Sequence, residues 1–280
     1  MLSKLLPALL IAIFALRGAI ASPIADNDAS NILRRDISDH ATSAGAPIDA
    51  CPRPNGQTLV TWIADTVTDT EGYIARDDDK KEIVIAFRGS TSFIDYIVTD
   101  ANIRLVPMDT PGVSPPENTL VHQGFLTSWN SVAVSAINTV REQLVGREGY
   151  SIVTAGHSLG AALASLSAVS MKSNFPDVPV RMYTYGQPRT GNPNYAKWVN
   201  SNFGPGEAFR VTHTTDPVPH VPLRLDVLPY AHHGVEYWIN ADPATAANIV
   251  SCDPSGEDET CANSVPFIDA LLNGSAHAIV

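Results

Sequence analysis

The chain has 280 residues, of which 44% are hydrophobic and 17% charged, and it carries a formal net charge of −11. That length holds one large domain with a substantial core, and the composition excludes wholesale disorder. An acidic surface repels nucleic acid and anionic membranes, so neither is expected as a partner.

The first residues read as a leader. Lys4 supplies a positive start, Leu5 to Leu16 form an apolar run, and Ala19-Ile20-Ala21 is a small-x-small cleavage site. The run is shorter than the roughly 18 residues of a membrane-spanning helix, and no later stretch approaches that length, so no integral membrane segment is expected. Residues 1–21 are therefore read as a signal peptide and the protein as secreted and extracellular. Ser22 to Leu33 is polar and aperiodic and ends in Arg34-Arg35, which marks residues 22–35 as a propeptide. Residues 36–280 then form a single domain.

From Leu59 onward, short β-rich runs alternate with longer helical patterns, which is the signature of an α/β fold. Strands are expected at Leu59–Ile63, Gly72–Ala75, Ile83–Phe87, Ile152–Ala155, Met182–Tyr185, Phe209–His213 and Glu236–Ile239. Helices are expected at Thr127–Leu144, Leu159–Lys172 and Pro193–Asn202. Ile83–Phe87 and Ile152–Ala155 carry no charge, as central strands covered on both faces require. The proline-rich stretch Asp109–Thr119 reads as a loop.

Of the three cysteines, Cys252 and Cys261 lie close together in a polar stretch suited to a local disulfide, and Cys51 is left over. No Cys-x-x-Cys or histidine-rich spacing accompanies them, so no metal site is expected.

The strongest motif is Gly156-His157-Ser158-Leu159-Gly160, entered by the strand Ser151–Ala155 and left by a helix rich in small residues. Strand, tight turn and helix are the context that a G-x-S-x-G nucleophile elbow requires. Glycines on both sides keep side chains from colliding with strand and helix, and the Leu159 amide at the helix N-terminus faces a developing oxyanion. A serine hydroxyl is a weak nucleophile, so a histidine base and an orienting carboxylate must accompany Ser158. Asp216, in the turn leaving the strand Phe209–His213, is the best candidate acid, because active-site groups of α/β sheets gather at the C-terminal ends of strands. For the base, position and order leave His220, His232, His233 and His277 all open.

Five blocks together resemble the fungal class 3 lipases, which include filamentous-fungal triacylglycerol lipases, mono- and diacylglycerol lipases and the related type A feruloyl esterases. They are Phe87–Ser90, Gly156–Gly160, Tyr185–Asn192, Arg210–Pro219 and Glu236–Trp238, in that order. The resemblance runs from about Leu59 to His277. It implies an α/β-hydrolase fold with a mostly parallel central sheet, a nucleophile elbow and a short lid. It implies a triad of Ser158, Asp216 and His277, the histidine being the one in Ala276-His277. It gives Ser90 as the second oxyanion donor beside Leu159, places a lid at Phe93, Ile94, Tyr96 and Ile97, and makes His157 a packing residue.

The chain departs from the family pattern in three places. No long helix is evident between Asp36 and Pro54, Cys51 lacks the far C-terminal partner that many relatives have, and Ala278-Ile279-Val280 follow His277 where relatives carry anchoring aromatics. The expected protein is a monomeric, cofactor-free lipase acting on acylglycerols at an oil–water interface through an acyl-enzyme. One rival is a feruloyl or other soluble-ester esterase, to which Tyr230–Trp238 and Pro107–Thr110 are similar. The other is a catalytically inactive lipid- or wall-binding relative.

Overall fold

The structure, a computed structural model, describes residues 57–89, 103–204 and 206–278. The expected signal peptide and propeptide, Cys51, Ser90, and the lid residues Phe93, Ile94, Tyr96 and Ile97 lie outside the described residues.

In chain order the elements are β1 (Thr58–Asp65), β2 (Thr70–Asp77), β3 (Glu82–Phe87), β4 (Leu105–Pro107), β5 (Leu120–His122), α1 (Gln123–Leu144), β6 (Ser151–His157), α2 (Leu159–Asn174), β7 (Val180–Tyr185), α3 (Pro193–Asn202), β8 (Ala208–His213), β9 (Val235–Ile239), β10 (Ile249–Ser251) and α4 (Phe267–Leu272). Eight strands make one sheet in the order β1-β2-β3-β6-β7-β8-β9-β10. Strands β3, β6, β7, β8 and β9 run parallel, with antiparallel pairing at both edges. The expected mostly parallel sheet of an α/β-hydrolase is therefore present.

Side chains alternate across the central strands, and both faces are covered. Ile83, Ile85, Phe87, Ile152 and Met182 face the core shared with α1 and α2. Val84, Val153, Ala155, Tyr183 and Tyr185 face the other way and pack with Phe209, Val211 and Ile239. Each large aliphatic side chain among them gains about 1.5–3 kcal/mol from full burial, and a charge placed there would lose its hydration. That is why the β3 and β6 segments read as charge-free runs.

Every residue of helix α2 from Leu159 to Met171 is buried. Its small residues let it lie close to the sheet: a Cβ added at Gly160 would stand 2.3 Å from the Phe87 carbonyl oxygen.

Helix α1 begins at Gln123 rather than at the expected Thr127. His122 caps it, its Nδ1 accepting from the Phe125 amide at 3.3 Å, and histidine is not among the residues that usually signal a helix start. Strands β4, β5 and β10 were not expected from the sequence, since three residues are too few to show a period of two. Among the described residues, no helix is long and apolar enough to cross a membrane.

Candidate active site

Three strand ends converge. Strand β6 ends at His157 and turns directly into α2, with Ser158 between them at φ 59° and ψ −126°. A non-glycine residue in that region costs on the order of 1–3 kcal/mol, held here by surrounding bonds such as that from the Ser158 amide to the Tyr185 carbonyl at 2.9 Å. The turn tolerates no side chain at its first glycine, since a Cβ on Gly156 would stand 2.1 Å from the Gly160 carbonyl oxygen.

Beyond β8, the chain turns through Thr214 and Thr215 to Asp216, which is 2% exposed. One carboxylate oxygen, Oδ1, accepts from the Val218 amide at 2.8 Å. The other, Oδ2, accepts from His277 Nδ1 at 2.9 Å. On the far side of the same ring, His277 Nε2 lies 2.8 Å from Ser158 Oγ. With Nδ1 donating, Nε2 is the acceptor, so the serine hydroxyl donates to it. The structure thus joins Ser158, His277 and Asp216 in one chain of hydrogen bonds, across sequence separations of 119 and 61 residues.

The other candidate bases are placed elsewhere. His232 Nε2 donates to the Pro219 carbonyl at 2.8 Å, and burial pushes its pKa well below the ordinary value. His220 is lowered too, first by burial and then by the Arg189 charge. His233 Nε2 lies 2.7 Å from Ser165 Oγ, which sits 2.7 Å from the Tyr195 hydroxyl. Although this is a serine–histidine pair, it is a core contact. Ser165 is fully buried inside α2, and burial lowers His233 to about 3.

Gly186, at the end of β7, makes room for the Asp216–His277 pair. It has φ +52°, and an added Cβ would meet Asp216 Oδ2 at 2.7 Å and the His277 ring at 3.0 Å. Leu159 is the first residue of α2, so its amide is among the N–H groups that the helix itself leaves without an acceptor.

Two buried ion pairs hold the loop that carries Gly256 and Glu257, and neither is singled out by the sequence. Arg189 donates to both Glu257 carboxylate oxygens, at 2.9 and 3.0 Å, and also to the His220 and Pro222 carbonyls. Burial works to raise the Glu257 pKa, but the Arg189 hydrogen bonds, helped by the neighbouring His232, hold it below the usual carboxylate range. Arg210 donates to Glu236 at 3.2 Å and to the Gly256 carbonyl at 2.7 Å. Gly256 and Glu257 belong to the loop closed by the Cys252–Cys261 disulfide. The local pairing read from the sequence is therefore formed. Arg189 and Arg210 lie inside the family-like blocks Tyr185–Asn192 and Arg210–Pro219, but their partners are 68 and 26 residues away, beyond any local signal. Among the described residues, one group has ligand atoms close enough to hold a metal: Cys252, Asp258 and Cys261. Its two sulfurs are joined to each other.

This geometry can be set beside known proteins. The sequence pattern of the class 3 lipases matches residues 84–225. The chain belongs to the class 3 lipase family. It is 34% identical over 222 residues to a lipase of Rhizopus niveus, covering 78% of this chain and 53% of that protein. It is 37% identical over 177 residues to a secreted mono- and diacylglycerol lipase A of Penicillium cyclopium, covering 63% and 54% of the two. A triacylglycerol lipase structure from Penicillium expansum superposes with a TM-score of 0.75 at 27% identity, over 86% of this chain and 90% of that one. The match spans about half the length of these curated relatives. Within the family pattern lie Ser158, Asp216 and Arg189, while His277 falls beyond its end.

Proposed function

We propose that this member of the class 3 lipase family hydrolyses carboxylic esters through Ser158, His277 and Asp216. The observation that carries the reading is the unbroken path from Ser158 Oγ to His277 Nε2, and from His277 Nδ1 to Asp216 Oδ2. His277 takes the serine proton as Ser158 Oγ attacks the ester carbonyl, then delivers it to the departing alcohol. Asp216 keeps the imidazole in the Nδ1–H tautomer and stabilises the imidazolium that forms. Water attacks the acyl-enzyme by the same route in reverse. The Leu159 amide faces the tetrahedral oxyanion, with Ser90 as the second donor and no cofactor involved.

The substrate in this reading is an acylglycerol taken by a secreted monomer at an oil–water interface. The names of the relatives support the ester class. Support for the interface comes from apolar side chains exposed on the two segments that adjoin the triad in sequence. Leu223, Leu225 and Val227 follow the acid loop, and Ile268, Leu271 and Leu272 on α4 precede His277. An exposed apolar set of this kind costs little beside oil. The lid residues Phe93, Ile94, Tyr96 and Ile97 would add to it on opening.

The test is hydrolysis of a short-chain triacylglycerol across its solubility limit. Turnover is expected to rise once droplets form, and Val227→Ser with Leu272→Ser is expected to reduce that rise while leaving hydrolysis of dissolved ester unchanged. Smooth saturation through the limit, with rapid turnover of methyl ferulate, would assign the chain to soluble esters instead.

A further inference from the structure

The segment carrying His277 has little of its own to hold it. Gly274–Ala278 is a single 3-10 turn, and a Cβ added at Gly274 would meet nothing within 4 Å. Two successive backbone carbonyls on this segment are nevertheless held, each by a histidine from an element that carries a partner of His277. His157, next to Ser158, has Nε2 2.9 Å from the His277 carbonyl oxygen. His213, at the end of β8 before Asp216, has Nδ1 3.0 Å from the Ala276 carbonyl oxygen.

His213 is 2% exposed, and its second nitrogen is also engaged, with Nε2 2.8 Å from Asp242 Oδ1. The Ala276 carbonyl oxygen can only accept, so Nδ1 carries the hydrogen of that bond. Thr214 Oγ1, 3.2 Å from Nδ1, is a further polar neighbour of that nitrogen.

We propose that His213 is a positioning residue for the general base, an inference that rests on the triad reading above. Its Nδ1–H fixes the Ala276 carbonyl and so keeps His277 Nε2 within reach of Ser158 Oγ, while Asp242, in the turn after β9, sets the plane of the His213 ring. The strand that delivers the acid thereby also registers the base. A displacement of about 1 Å at a reacting group can cost on the order of 100-fold in rate, so a bond remote from substrate can control turnover.

Asparagine and glutamine separate the two bonds of His213. The asparagine amide nitrogen falls near the place of Nδ1, and that of glutamine near Nε2. Full-length His213→Asn and His213→Gln are compared in the rate of Ser158 labelling by a p-nitrophenyl alkylphosphonate, and in kcat and KM for p-nitrophenyl butyrate.

His213→Asn is expected within about threefold of wild type, and His213→Gln about tenfold or more slower in labelling and kcat, with KM unchanged. Equal slowing of the two variants, or wild-type labelling in His213→Gln, would overturn the role, since a packing residue makes no distinction between these donors. Should His213→Gln not fold, Asp242→Ala removes the outer tether from a half-exposed position and decides the matter. Slower labelling at unchanged KM supports the role, and wild-type labelling overturns it. Ser158→Ala in the same assay separates the two levels of the argument. Wild-type labelling there would sink the triad reading itself, whereas loss of labelling there with none in the His213 or Asp242 variants would sink the positioning role alone.

Discussion

The imidazole of His157 stacks on that of His277, with ring centroids 4.4 Å apart, while its Nε2–H donates to the His277 carbonyl. Burial, reinforced by the adjacent His277, pushes the His157 pKa down to about 3. His157 therefore stays neutral at any pH where the protein would work. His277 can become positively charged during the reaction without a second cation against its face. Packing alone, the role implied by family resemblance, describes His157 incompletely, since it also holds the backbone of the base.

Buried neutral histidines make stability fall with acid. His157 and His233 are lowered from 6.5 to about 3, and His232 also lies well below its ordinary value. The unfolded chain takes up these protons near pH 6.5 while the folded protein refuses them until about 3. Their stabilisation is thus complete above pH 6.5 and is lost progressively between those limits. Each ring contributes a slope of up to about 1.4 kcal/mol per pH unit. Glu257, held low, adds a loss of the same sign below the ordinary carboxylate range. Urea midpoints are expected to drop steeply from pH 6 to pH 4. A midpoint constant over that range would contradict the burial of these rings.

Gly186 and Gly274 make a matched pair. A methyl group on Gly186 would press on Asp216 Oδ2 and the His277 ring, whereas one on Gly274 meets nothing within 4 Å. Gly186→Ala is expected to lower kcat on a soluble ester by about 100-fold through displacement of the pair. Gly274→Ala, although close to His277 in sequence, should be silent. Equal kcat in the two variants would show that the Asp216–His277 contact does not limit the rate.

The disulfide loop and the buried ion pair should behave as one unit. Glu257→Ala strands Arg189, which is 4% exposed, and breaking a buried pair this way costs about 3–5 kcal/mol. Replacing Cys252 and Cys261 by alanine should cost about 2–4 kcal/mol. Because the closed loop presents Glu257 to Arg189, the combined variant is expected to lose less than the sum, as measured by chemical denaturation. Strict additivity would mean that the loop keeps its shape without the bridge.

These contrasts mark what the sequence makes legible. The elbow could be read because its constraint is local: Gly156 and Gly160 must lack side chains where strand and helix nearly touch. Strands β3 and β6 were equally clear, since burial on both faces excludes charge from Ile83–Phe87 and Ile152–Ala155. His277 was different. Four histidines satisfied the same order along the chain, and family resemblance alone singled one out, because the contact that decides is made across 119 residues. The links from His213 to Asp242 and from Arg189 to Glu257 were invisible for the same reason. Helix α1 hid its start behind a histidine cap, and β4, β5 and β10 were too short to show periodicity.

The central claim is that Ser158 is a nucleophile activated by His277 and oriented through Asp216. It is tested most directly by treating the full-length protein with a p-nitrophenyl alkylphosphonate and locating the adduct by peptide mass spectrometry, with release of p-nitrophenol giving the rate. A single adduct on Ser158 is expected, forming about 10³–10⁴-fold more slowly in His277→Ala and also slowed in Asp216→Asn. An adduct on any other residue, or labelling of Ser158 at wild-type rate in His277→Ala, would contradict the account.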